Sequence, residues 1–376
     1  MKMLTDGRND QKFRVGKYID PQLAELDGEG AQQKIKQPTP HPKRESYGVW
    51  TDMPSSSFDK EKTYYRLPML KEPVWGWSIP AYFYVGGASG AAAVLSAAAQ
   101  MGSPILLRKL IRKGRLLSLS GIALSTLLLI YDLGRKFRFM NMLRVFRPTS
   151  PMNMGSWILT SAGAFTTGAL LYNGRNKFLK TMTNISGIGS GISGILLAGY
   201  TGVLLSYSAV PLWQEARKSL PLLFIASGIS GASSSLELMR LKSRETSVVH
   251  IFSTAGIVAE LLAARALEEE IKNYKPVEDS LKKGNPGKLW KAGRLMSLAA
   301  LALSLLPGKS KARKAASAIL EGAGAVSMRF AIYKAGQVSS RDPKAIFELQ
   351  RGKEYHPKGL EQKEHSVEES TLEEMA

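Results

Sequence analysis

The residues able to do chemistry in this chain gather where its apolar runs end. Asp132 closes one such run, and from Ile130 to Trp157 the sequence reads IYDLGRKFRFMNMLRVFRPTSPMNMGSW. Arg135 to Arg147 include five Lys or Arg and three Phe. Pro148 and Pro151 bracket Thr149 and Ser150, and Gly155 and Trp157 open the next apolar run. A carboxylate, hydroxyls, cations and aromatic rings between two membrane-length helices make a polar corner at the lipid–water boundary. We read that corner as one wall of a binding site. Further along, His250, Glu260, Glu321 and Arg329 are ionisable groups inside apolar segments, where lipid makes them costly and therefore candidates for function. Glu321 and Arg329 are eight residues apart, about 80° out of line on one helix. His250 and Glu260 are ten apart, about 80° out of line on a helix. A proton path through these groups and plain pairing between helices are both open readings.

The elements that must position these residues are helices in a membrane. A mean hydropathy of -0.10 and 22% charged residues suggest a soluble protein, but the charge is unevenly placed. Positions 1–77 hold 13 Lys/Arg and 11 Asp/Glu, and 336–376 hold 6 and 9, so of the chain's 51 and 31 the middle keeps 32 and 11, a net of +21. Those charges cluster between apolar runs of about twenty residues, the length an α-helix needs to cross a bilayer. Eight spans are expected, near 78–101, 116–134, 152–173, 187–208, 219–240, 247–267, 290–306 and 315–334. Small residues recur at helix-packing spacing, as Gly86 with Gly90, Gly187 with Gly191, and Ala198 with Gly202; missing side chains let backbones approach where lipid gives no hydrophobic drive. Gly189, Gly191 and Gly194 match GxGxxG, but a dinucleotide fingerprint needs a preceding strand and a βαβ unit.

Several chemistries lack their residues. With no cysteine there is no disulfide framework, thiolate metal site or iron–sulfur ligation by this chain. A haem between membrane helices needs two histidines at membrane depth, and His250 alone of the four lies in an apolar segment. The basic charge is spread over short loops with no nucleic-acid-binding motif; anionic lipid headgroups account for it at about 1 kcal/mol per basic residue. The N-terminus lacks the apolar core of a secretory signal. Positions 1–77 read as an extended, partner-contacting arm with too little apolar content for a core. Loops after odd-numbered spans hold 14 Lys/Arg and those after even-numbered spans 12, so the positive-inside rule gives no orientation. An even helix count puts both termini on one side.

Three segments carry a resemblance to a known family. Trp75 to Gly90, WGWSIPAYFYVGGASG, resembles the first helix of the NrfD/polysulfide-reductase membrane-subunit family. Arg147 to Trp157, RPTSPMNMGSW, is similar to that family's most recognisable motif, at the start of its third helix. Gly199 to Gly202 followed by Pro211 to Trp213 resembles its fourth helix and exit. What the resemblance implies is a quinone-handling membrane subunit without redox cofactors of its own. It would bind menaquinone or ubiquinone as substrate and anchor an iron–sulfur, ferredoxin-like subunit, and through it a large catalytic or electron-transfer subunit of molybdopterin type. The membrane implied is the prokaryotic cytoplasmic (inner) membrane, with both termini on its outer side.

The resemblance also assigns roles. Tyr200 matches the position most associated with quinone contact; filling a gap between helices, with its hydroxyl on a backbone carbonyl, is the alternative. Ser78 and Tyr82 lie near the first-helix quinone positions, although a polar histidine in related patterns falls on Ala81 here. Asp132 stands where relatives tend to carry an acid, as a proton relay or as an ion-pair partner of Arg135. Ser150 and Trp157 complete the expected quinone-binding set. Trp75, Trp77 and Trp157 also suit an interfacial aromatic belt. The expectation is an all-α polytopic membrane protein: an arm over 1–77, a quinone-binding four-helix bundle over 78–208, a second over 219–334 and a polar tail over 335–376. A transporter or channel, and a passive anchor with no quinone site, are the competing classes.

Overall fold

The structure, a computed structural model, describes residues 70, 73, 75–133, 136–171, 176–306 and 310–346, less the side chains of residues 137 and 138. The arm expected over 1–77 lies outside the described residues up to position 69, as does the tail beyond 346. The elements run α1 Ser78–Gly102, α2 Arg108–Asp132, a 3-10 turn Lys136–Met140 leading into α3 Asn141–Arg144, α4 Pro151–Leu171, α5 Lys177–Ser206 and α6 Pro211–Glu215. They continue with α7 Ser219–Glu237, α8 Ser243–Ile271, α9 Lys275–Lys282, α10 Gly284–Leu305 and α11 Lys311–Arg341. There is no strand among the described residues.

Each expected span falls on one long helix, but most helices begin earlier. α2 starts at Arg108 and not near 116, α5 at Lys177 and not near 187. Hydropathy marks only the part of a helix that lipid covers, whereas backbone hydrogen bonding carries the helix on into basic residues whose long stems reach the headgroups. α11 likewise runs through Arg341, so the tail expected from 335 starts later. Six helices, α1, α2, α5, α7, α8 and α11, are long and apolar enough to cross a membrane. α4 is diluted by Gly, Ser and Thr, and Lys288, Lys291 and Arg294 charge the first half of α10.

The burial pattern is that of a protein whose outer solvent is lipid. Inside are mostly small residues: Gly, Ala and Ser make up most of the buried side of α1, and the same types fill α7. Outside are large aliphatics, among them Leu124, Leu127, Ile192, Ile195, Leu262 and Leu295. This is an integral membrane protein.

α1 packs on α2 and α5, and α4 on both α5 and α2; α7 packs on α8 and α11, and α10 on both α11 and α8. α1 also meets α7 and α11, and α5 meets α7. The α1–α5 crossing shows what permits this closeness. A Cβ on Gly90 would sit 2.4 Å from the Gly194 carbonyl oxygen, and one on Gly194 would sit 2.6 Å from that of Gly90. Gly194, from the rejected dinucleotide pattern, is thus a helix-packing residue.

Three acids fasten helix beginnings from neighbouring helices. Asp132, at the end of α2, accepts from the Gly76 amide at 3.2 Å and the Ser78 hydroxyl at 2.8 Å, where α1 starts. Glu245 accepts from the Lys109 and Leu110 amides at the start of α2, at 2.8 and 3.1 Å. Glu270 takes the amides of Lys218 and Ser219 and the Ser219 hydroxyl where α7 starts. Each carboxylate satisfies orphan helix N–H groups and complements the positive end of the helix dipole.

Candidate functional site

Two polar assemblies stand out. The first lies at the end of the helices where α1 and α4 begin and α2 and α5 finish, which we call the motif face. Asn153 holds the RPTSPMNMGSW segment in shape: its side-chain oxygen accepts from the Arg147 amide at 2.7 Å, and its amide nitrogen donates to the carbonyls of Met142 and Val145 at 2.6 and 2.8 Å. Ser150 precedes α4, its carbonyl accepting from the Met154 amide at 3.0 Å and its hydroxyl lying 3.5 Å from the Asn153 amide. Trp157 is exposed and packs edge-to-face on Phe146, ring centroids 5.8 Å apart. Both positions belong to the segment's architecture.

Tyr200 reaches from α5 to the first turn of α4 and donates its hydroxyl hydrogen to the Pro151 carbonyl. Its ring lies against Gly155, where an added Cβ would come within 2.1 Å of the phenol carbon Cζ. The motif's glycine is thus the seat of the Tyr200 ring. The structure places the hydroxyl on a backbone carbonyl, the alternative the sequence left open. Tyr82 of α1 is 3% exposed, within electrostatic reach of Tyr200, and its ring sits 5.8 Å from that of Phe83. It faces the interior, and its hydroxyl makes no hydrogen bond among the described residues. Beside it, across Gly86, the buried Ser125 hydroxyl of α2 also has no partner. Ser78 and Asp132 are bonded to each other at the start of α1. Of the expected belt tryptophans, Trp77 is exposed, but Trp75 turns inward and stacks on Trp213 and Tyr333, centroids 6.0 and 6.4 Å away. Trp213, fully buried, donates to the Ile332 carbonyl at 3.0 Å.

The second assembly lies deep between α1, α7, α8, α10 and α11. Arg329, 1% exposed, donates to the Ser227 hydroxyl at 2.9 Å, to the Phe224 carbonyl at 2.6 Å and to the Phe83 carbonyl, with its guanidinium 4.5 Å from the centre of the Phe224 ring. Glu321 does not pair with it by hydrogen bond. Its two oxygens accept from Ser233 at 2.7 Å and Ser253 at 2.9 Å. Glu260 faces the hydroxyls of Ser227, Ser230 and Ser297 and is within electrostatic reach of Arg329. His250 pairs with Glu237 at 3.5 Å, a residue within electrostatic reach of Glu321.

Residues 66–340, most of the chain, match the family model described as polysulphide reductase, NrfD. The chain belongs to the NrfD family. No curated protein sequence matches it. NrfD proteins are membrane subunits of multisubunit complexes, generally associated with quinone-linked oxidoreductases. The fold brings Tyr200, Ser78, Tyr82 and Asp132 to the motif face. Sequence reasoning missed Asn153, whose signal was an Asx side chain beside a proline turn. It also missed Glu237 and the serines around the NrfD chain's buried carboxylates. Those serines recur along α7 at positions 227, 230, 233 and 234, mostly at helical three-residue spacing.

Proposed function

We propose that this chain is the quinone-reactive membrane subunit of a multisubunit oxidoreductase, exchanging electrons between membrane quinone and an iron–sulfur partner subunit that docks at the motif face. Eight membrane crossings, arranged as two four-helix bundles with both termini on the motif face, complete the reading; the membrane is the prokaryotic cytoplasmic membrane. One observation carries the site: a buried phenol, Tyr82, lies across Gly86 from an orphaned buried hydroxyl, Ser125, in the bundle holding the family's motif. A quinone needs an apolar slot and one or two hydrogen-bond donors for its carbonyls, and these two groups fit it.

In this reading Tyr82 donates to a quinone carbonyl. Tyr200, with its hydrogen committed to Pro151, shapes the slot. Tyr82 lies four residues into α1 and Tyr200 six from the end of α5, about 6 and 9 Å from the helix ends at 1.5 Å per residue. A headgroup there is one or two turns from water. Asp132, on the Ser78 hydroxyl at that boundary, is placed to exchange protons with the aqueous phase. The test is binding of a fluorescent quinol-site inhibitor to the detergent-purified chain. Tyr82→Phe weakens binding at least tenfold, about the 1.4 kcal/mol expected of a buried hydrogen bond, and Tyr200→Phe weakens it less. Equal affinity in wild type and Tyr82→Phe overturns this assignment, and no binding by any form supports a passive anchor.

A further inference from the structure

Charge balance inside the deep assembly leads to a second site, independent of the quinone reading. Glu260 and Glu321 are each 0% exposed and Arg329 is 1% exposed. Glu260 lies 17 residues after the start of α8 and 11 before its end, about 25 and 16 Å by helical rise; Glu321 lies 10 residues into α11, about 15 Å. Both carboxyls are therefore within the roughly 30 Å hydrocarbon layer. An arginine keeps its charge in proteins. Two carboxylates and one guanidinium would leave one negative charge uncompensated where an unpaired ion is prohibitively costly.

The surrounding ionisable groups do not supply the missing positive charge. On α7, Glu237 is engaged with His250 of α8 and within electrostatic reach of Lys314 of α11. Between α8 and α10, Glu268 is bonded to Arg294 at 2.5 Å. From α1, Tyr84 contributes a phenol that faces Ser234. The assembly also has donor atoms to spare. Glu260 Oε1 and the facing Ser230 Oγ are both buried and without a hydrogen-bond partner, while Glu260 Oε2 has only the Ser297 hydroxyl at 3.4 Å. A carboxylate oxygen among serine hydroxyls is the donor set that hard cations take. No group of three acid, histidine or cysteine side chains suited to a multivalent metal exists among the described residues.

We propose that Glu260 and Glu321, with Ser230 and Ser297, hold one exchangeable monovalent cation, H⁺ or Na⁺, deep in the membrane. As a proton it resides on one of the two carboxyls. As Na⁺ it is ligated by Glu260 Oε1 and the serine oxygens while both carboxyls stay ionised. Either occupant brings the assembly to neutrality, and removing either carboxylate removes the need for it, because the survivor balances Arg329.

The test is infrared spectroscopy of the full-length protein in nanodiscs at neutral pH, where surface carboxylates are ionised. In Na⁺-free potassium buffer, wild type shows a protonated-carboxyl carbonyl band of one-residue amplitude that shifts in D₂O. Glu260→Gln and Glu321→Gln each lose it completely. Persistence of the wild-type band when Na⁺ replaces K⁺ identifies the proton as sole occupant; its loss on adding Na⁺ identifies a sodium site. A wild type with no such band in Na⁺-free buffer overturns the proposal, as does a band kept at full amplitude by both single variants. The wild-type spectrum alone decides the first point, so a variant that fails to fold does not shield the idea.

Discussion

At the residue scale, the account turns on which polar atoms are already engaged. Tyr200 stood out in the sequence, but its bond to the Pro151 carbonyl did not, because that contact depends on where two helices of separate segments cross. The same crossing explains Gly155. Gly155→Ala forces a Cβ into the Tyr200 ring and costs about 1–3 kcal/mol as an overpacked contact. The measurable result is a lower unfolding midpoint in detergent. The double variant Gly155→Ala with Tyr200→Ala recovers part of that loss relative to the sum of the single changes, since the two residues share one space. Strict additivity would show that the ring does not rest on Gly155. The buried glutamates were also legible, because an acid in an apolar run is conspicuous; their partners were not, since serines are ordinary in membrane helices.

At the element scale, the helices were readable and their fastenings were not. Apolar runs marked every long helix, whereas most helix starts were placed too late because hydropathy is blind to a helix that begins among basic residues. Asp132 was expected to relay protons or to pair with Arg135, which lies outside the described residues; the fold sets Asp132 at the head of α1, as Glu245 and Glu270 are set at the heads of α2 and α7. Asp132→Asn keeps an acceptor and removes the charge, so its stability cost is about 0.3–1 kcal/mol from the helix dipole. Glu245→Gln, 1% exposed and with three amides on its oxygens, costs more. If Asp132 also passes protons, Asp132→Asn slows quinol oxidation well beyond what its small stability loss explains, and Glu245→Gln does not. Equal kinetic effects from the two variants would reduce Asp132 to a helix clamp.

At the scale of the whole molecule, the chain is a membrane body whose small residues face inward and whose large aliphatics face outward. Its two polar assemblies meet at α1: Arg329 donates to the carbonyl of Phe83, the neighbour of Tyr82. A change of charge beside Glu260 is therefore one peptide unit from the proposed quinone donor. Composition averages concealed this body, and only the unevenness of charge along the chain revealed it. The family motif disclosed the motif face, and nothing in the sequence disclosed the link through Phe83, which joins residues far apart in the chain.

The central claim is that this chain passes electrons between quinone and an iron–sulfur partner. It is tested most directly on the complex purified through a tag on this chain, by adding quinol anaerobically and following the visible absorbance of co-purified clusters, with dithionite-reduced complex and added quinone as the reverse reaction. The account predicts cluster reduction by quinol or reoxidation by quinone in wild type, slowed in Tyr82→Phe. Clusters that respond in neither direction, or a complex from gently solubilised membranes that contains none, would contradict it.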